Sequence, residues 1–220
     1  MKKYFALIVL TVLCQNLSAD ENYSYFIESQ SLKGSTGYIH TFSTRVVPNN
    51  TFSFGLHRFN CGINYGLLPG IEVGTNFNLQ QITSVSSLDQ ENFERKAEEI
   101  FFGSKFRIMK EHEYPVDVSL GTYKDNIYLV TGKYFEDFDS ITLQGGVTWN
   151  RDETHTYFTL TESLGWQQAI IEFEPDIDTY NIGYRFLLSP EIKLDFFIQD
   201  LTHIKNFFFN NFVFGITIVL

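Results

Sequence analysis

Residues 71–80, IEVGTNFNLQ, alternate apolar and polar side chains for ten positions. Successive side chains of an extended chain point to opposite faces. Ile71, Val73, Thr75, Phe77 and Leu79 therefore share one face, and Glu72, Gly74, Asn76, Asn78 and Gln80 the other. Such a strand has two homes. In a soluble sandwich its apolar face packs on protein. In a membrane barrel that face meets lipid and the polar face lines a lumen. The rest of the sequence bears on the choice.

The same period of two recurs at 141–149 (ITLQGGVTW), 180–186 (YNIGYRF), 192–199 (IKLDFFIQ) and 212–220 (FVFGITIVL). Turn residues separate the runs, as in VPNN at 47–50, LPG at 68–70, KDN at 124–126 and SP at 189–190. These signals place strands near 37–47, 51–67, 71–81, 96–109, 116–123, 126–135, 141–150, 156–165, 168–175, 179–187, 191–199 and 211–220. That is about 12 antiparallel strands (range 10–14) in an up-and-down meander, an even number as single-chain outer-membrane barrels require. Within 51–67 the apolar parity flips between Leu56 and Cys61. Either a bulge near Asn60 shifts the register, or the segment is two short strands. With the N-terminus periplasmic, the two longest connections, 82–95 and 200–210, fall outside, and LPG, WQQ (166–168) and SP fall inside as short turns.

The chain opens MKKYFALIVLTVLCQNLSA, with basic Lys2 and Lys3, an apolar run to Cys14, and small residues Ser18 and Ala19. This reads as a secretory signal peptide over 1–19, followed by a lead-in over 20–34 and a barrel domain over 35–220. Leu13 before Cys14 is too large for a lipobox. Losing the signal leaves Cys61 as the one cysteine, so no internal disulfide is expected. It also leaves 14 basic residues against 26 acidic, a net charge of −12. An acidic chain with no basic stripe repels phosphates, which excludes nucleic acid as a partner.

Three features favour the membrane barrel: the signal peptide, the missing disulfide, and a terminal strand apolar at Leu220 and every second position before it. Such a strand is the kind that barrel assembly machinery reads. Trp149, Tyr157, Tyr180, Phe186 and Phe212 fall near strand ends, where aromatic girdles sit at membrane interfaces. The expected class is an all-β transmembrane barrel in the outer membrane of a Gram-negative-type bacterium, with lipid as its surroundings.

Four stretches carry a family resemblance: STGYIHTFSTRVVPNNTFSFGL (35–56), YGLLPGIEVG (65–74), FFGSKFRIMKEHEYPVDVSLGTY (101–123) and IIEFEPDIDTYNIGYRF (170–186). Together they resemble the YjbH-like outer-membrane proteins. The resemblance implies an outer-membrane barrel associated with exopolysaccharide operons, with polysaccharide or export components as possible partners and no known catalysis.

On the proposed faces Glu172, Glu174, Arg185, Lys193 and Asp195 point inward, as do Glu99, Lys105 and Arg107. They form either a charged lumen that selects solutes or, as the favoured reading, a network of ion pairs that fills a narrow barrel. His155 with Asp152, and His112 in KEHE, lack further partners at catalytic or metal-binding spacing; His40, His57 and His203 are isolated. No catalytic motif, metal site or cofactor site is recognised. The expected function is a non-enzymatic, porin-like channel or an accessory to envelope or exopolysaccharide export. The alternatives are a barrel enzyme hydrolysing lipid or peptide, and a soluble ligand-binding sandwich.

Overall fold

The computed structural model describes residues 29–79, 100–135, 141–203 and 211–220. The proposed signal peptide, the segment 91–99 with Glu99, and most of both long connections lie outside the described residues. The wall consists of β1 (Phe52–His57), β2 (Asn60–Leu68), β3 (Ile71–Asn78), β4 (Phe101–Met109), β5 (Asp117–Tyr123), β6 (Asn126–Phe135), β7 (Ile141–Trp149), β8 (Thr154–Leu164), β9 (Gln167–Glu174), β10 (Thr179–Ser189), β11 (Ile192–Ile198) and β12 (Phe212–Val219). Every strand pairs antiparallel with its sequence neighbours, and β1 pairs with β12, so the sheet closes. Phe52 and Leu220 complete the seam by exchanging two backbone hydrogen bonds of 2.8 Å. This end of the barrel, the terminal end, also carries the tight turns at 69–70, 165–166 and 190–191. The connections 79–100 and 199–211 leave from the far end.

The alternation at 71–78 is realised as expected. Glu72 and Asn76 are buried inside, while Ile71 and Val73 face out. Around the wall, outward positions such as Phe54, Phe102, Phe158, Leu160, Ile171 and Phe214 are exposed apolar side chains. Of the girdle aromatics, Tyr180 faces out, but Tyr157 points inward and is buried.

Two strand assignments differ, and they offset each other. Residues 51–67 form two strands, β1 and β2, joined at Arg58–Phe59, where Arg58 adopts a positive φ of 57°. The expected strand at 37–47 is absent. Residues 29–50 instead turn inward, with 29–47 enclosed in the lumen and Asn49 and Asn50 exposed at its terminal end, and touch extended pairing only at the isolated bridges Gln30–Thr36, Gly37–Phe42 and Asn49–Gly66. Twelve strands therefore stand, but the wall begins at Phe52. The physical reason lies in the side chains. Tyr38, Ile39, Phe42, Val46 and Val47 are all buried, on both parities of the segment. A wall strand can bury one parity only; a segment enclosed by a barrel buries both.

Room for this plug comes from glycines. Across β5–β6, Gly121 lies opposite Tyr128; across β7–β8, Gly146 lies opposite Tyr157; across β10–β11, Gly183 lies opposite Phe197. In each pair the large inward ring lies flat over the neighbouring strand. A Cβ on Gly121, Gly146 or Gly183 would come within 2.2, 2.3 or 2.4 Å of that ring. Rings laid against the wall leave the barrel axis open, and the plug occupies it. Leu32, Tyr38 and Ile39 pack on Ile170, Phe197 and Val213. Phe42 packs among Tyr128, Val130 and Tyr157.

Candidate functional site

An irregular segment buried inside a barrel must find partners for its backbone N–H and C=O groups, because buried polar groups left unpaired are costly. The wall supplies them as charged side chains. Glu172 on β9 accepts backbone N–H bonds from Ile39 (2.7 Å), His40 (2.9 Å) and Thr41 (3.2 Å), and a hydroxyl bond from Thr41 (2.6 Å). Glu72 on β3 accepts from the Thr36 N–H (3.1 Å), the Val47 N–H (3.0 Å), and the Ser35 and Thr36 hydroxyls. Both carboxylates are fully enclosed, and each sits where an anion meets converging donors.

Cations hold the plug carbonyls. The Lys105 ammonium on β4 donates to the Thr36 carbonyl (2.6 Å), the Arg45 carbonyl (3.0 Å) and the Thr36 hydroxyl. The Arg185 guanidinium on β10 donates to the carbonyls of Gln30 (3.1 Å), Gly37 (3.3 Å) and Tyr38 (3.4 Å). Its Nε donates to Asp195 Oδ1 on β11 at 2.5 Å. The other oxygen of Asp195 meets His57 Nε2 at 2.7 Å. Near the terminal end Asp117 is flanked by Arg107 (2.8 Å) and by Arg45 of the plug (3.0 Å). Neutral groups complete the seat: Gln30 donates to the Ser53 carbonyl (2.7 Å), and Ser119 donates to the Thr44 carbonyl.

The residues expected to form the lumen charge cluster are distributed as follows. Arg185 and Asp195 are brought into direct contact. Glu172, Lys105 and Arg185 meet the plug. Arg107 pairs with Asp117, outside the expected set. Glu174 lies near the far mouth within 3.4 Å of Asn181, and Lys193 donates to the Pro190 carbonyl (3.2 Å) at the terminal end. The expected network of inward ion pairs is met in part by Arg185 with Asp195, while Glu172 binds plug backbone and the plug occupies the space between the charges. His57, read as isolated, is paired with Asp195. The sequence reading did not single out Asp117, Ser119 or Gln30, nor Glu72 as a site residue. Glu72 carried a usable signal, since an inward carboxylate needs donors and no cation lies at neighbouring inward positions of its own strand.

The plug tip meets the far mouth at a hollow of about 380 Å³. Leu32, Lys33 and His40 of the plug form its floor, and Asn60, Asn76, Asn78, Phe101, Tyr123, Lys124 and Gln199 form its walls. Burial pushes the Lys33 ammonium and the His40 imidazole below their ordinary pKa values. Elsewhere His155 touches Glu153 (3.1 Å) in the β7–β8 turn, and Cys61 is a free thiol. Among the described residues no group of three or more His, Cys, Asp or Glu is placed to hold a metal ion, and no helix is long and apolar enough to cross a membrane.

No family model matches the chain, so the YjbH-like resemblance rests on the stretches quoted for it. No curated protein matches it. Among solved structures it is similar to two mutants of Rh. blastica porin, each at 14% identity and a TM-score of 0.37 over 73% of this chain. The aligned part is 55% of the porin chain, so this chain spans just over half the length of those porins.

Proposed function

We propose that the chain is an outer-membrane barrel of channel type, closed at rest by its own segment 29–50, and that it acts without catalysing a reaction. The observation that carries this reading is the pairing of an outward apolar surface with an inward polar one whose charges grip the plug. An exposed surface of Phe, Leu and Ile around a whole barrel is unfavourable in water and suits lipid. Strands β2, β4, β6, β7, β8 and β10 run 9 to 11 residues, the length that crosses hydrocarbon at a tilt. A polar interior filled by a separable segment suits a gate better than a solid core does, since many of its contacts are hydrogen bonds that water can replace.

Within this reading, the YjbH-like stretches favour work beside exopolysaccharide export, with the barrel as an accessory in the envelope. The test is fractionation of the expressing cell combined with gel migration before and after boiling. The reading expects recovery with outer membrane and a heat-modifiable band. Recovery as a soluble protein without detergent would contradict it.

A further inference from the structure

We propose that the hollow at the far mouth binds a small hydroxylated anion of the class of a sugar acid or sugar phosphate. This goes beyond the channel reading and needs no open pore.

The charge of the hollow runs against that of the chain. The protein has 26 acidic residues against 16 basic, yet among the described residues the hollow is lined by two lysines, a histidine and no carboxylate. The lysines come from separate parts of the fold. Lys33 belongs to the plug, and its ammonium stands 5.3 Å from the centre of the Phe42 ring. Lys124 belongs to the β5–β6 turn, and its ammonium stands 3.6 Å from the centre of the Phe101 ring. Neither makes an ion pair with a described residue. The nearest described acids bear on the two lysines only through their charge, Glu172 and Glu174 on Lys33 and Asp125 on Lys124; Glu172 is engaged by the plug N–H groups and Glu174 by Asn181. Two cations held over ring faces at one cavity leave the position of an anion open between them.

The remaining lining sets the rest of the ligand. Asn60, Asn76, Asn78 and Gln199 are amides, each able to donate and accept, as hydroxyl groups require. Asn78 and Asn60 are already joined at 2.9 Å, which fixes their orientation. About 380 Å³ lies in the range of small-ligand sites and accommodates a single sugar ring with its charged group. A ligand spanning Lys33 and Lys124 would tie the plug to the wall.

The test is titration of the full refolded chain in neutral detergent with glucuronate, glucose 6-phosphate, inorganic phosphate and glucose, read by calorimetry. At least one of the two acidic sugars is expected to bind about tenfold more tightly than both glucose and inorganic phosphate. Lys124→Gln, in an exposed turn, should weaken that binding about fivefold or more while leaving heat modifiability intact. Lys33→Gln should do the same. Acidic sugars binding no better than glucose would overturn the proposal, as would an unchanged affinity in Lys124→Gln. Inorganic phosphate binding as well as both sugars would overturn the assignment of a hydroxylated ligand.

Discussion

The rings of Phe42 and Tyr128 lie stacked with their centroids 3.9 Å apart and their planes 7° from parallel. One belongs to the plug and the other to the wall, so this pair joins the two parts by apolar contact alongside their hydrogen bonds. Tyr128 lies flat because Gly121 beneath it has no side chain. Phe42→Ala should therefore lower stability by about 3 kcal/mol, the usual cost of deleting a buried ring. The urea midpoint for loss of the heat-modifiable band measures it, and Phe52→Ala, on the exposed outer face, should cost less. Equal costs would place Phe42 outside the lumen.

Gly146 and Gly145 are adjacent but face opposite ways. A Cβ at Gly146 would lie 2.3 Å from the Tyr157 ring, whereas one at Gly145 would meet Phe158 at an ordinary 3.4 Å. Gly146→Ala should reduce the folded fraction strongly and Gly145→Ala should not. Combining Gly146→Ala with Tyr157→Ala should recover part of the loss, as coupled neighbours do. Refolding yield scored by gel migration decides it, and absence of rescue would remove the glycine seat from the account.

Phe196 faces outward between Phe186 and Phe214, and Lys193 is fully enclosed on the opposite face of the same strand. Phe196→Lys should cost about 2–4 kcal/mol if the site lies near the bilayer midplane. Lys193→Gln should be tolerated better. Refolding titrations into lipid vesicles compare them, and equal tolerance would contradict the assignment of the outer face to lipid.

Burial lowers the pKa of the half-buried His40, and the groups facing it are Glu172, Glu174 and Lys33. Because its folded pKa is depressed, the unfolded chain takes up the proton first. Its contribution to stability is complete above the unfolded value of about 6.5 and is lost as pH falls from that value through the lower folded one. Stability at pH 7.5 minus that at pH 5.5 should be smaller in His40→Gln than in the native chain. An unchanged difference would mean that His40 is solvated.

The wall was legible because each strand obeys one rule, apolar out and polar in, and β3, β7, β10, β11 and β12 keep it for most of their length. The plug was not. Residues 37–47 mix β-branched, aromatic and hydroxyl side chains with a strand's local preferences, and only the enclosing barrel makes both parities buried. The inward direction of Glu172 and Arg185 followed from alternation, but their partners did not. Glu172 meets Ile39 across 133 positions and Arg185 meets Gln30 across 155. No local spacing encodes contacts of that range, and backbone groups as partners leave no mark in the side-chain pattern.

The central claim is that residues 29–50 close the lumen, and single-channel conductance in a planar bilayer tests it most directly. The full chain should show little or no steady conductance. Glu172→Ala, which removes the acceptor of three plug N–H groups, should show frequent openings. A chain lacking 29–48 that still migrates as a heat-modifiable barrel should conduct steadily. With inward Glu72, Asp117, Glu172, Glu174 and Asp195 facing Lys105, Arg107, Arg185 and Lys193, that open pore should prefer cations only weakly. A large, stable conductance of the full chain, unchanged by the deletion, would contradict the account.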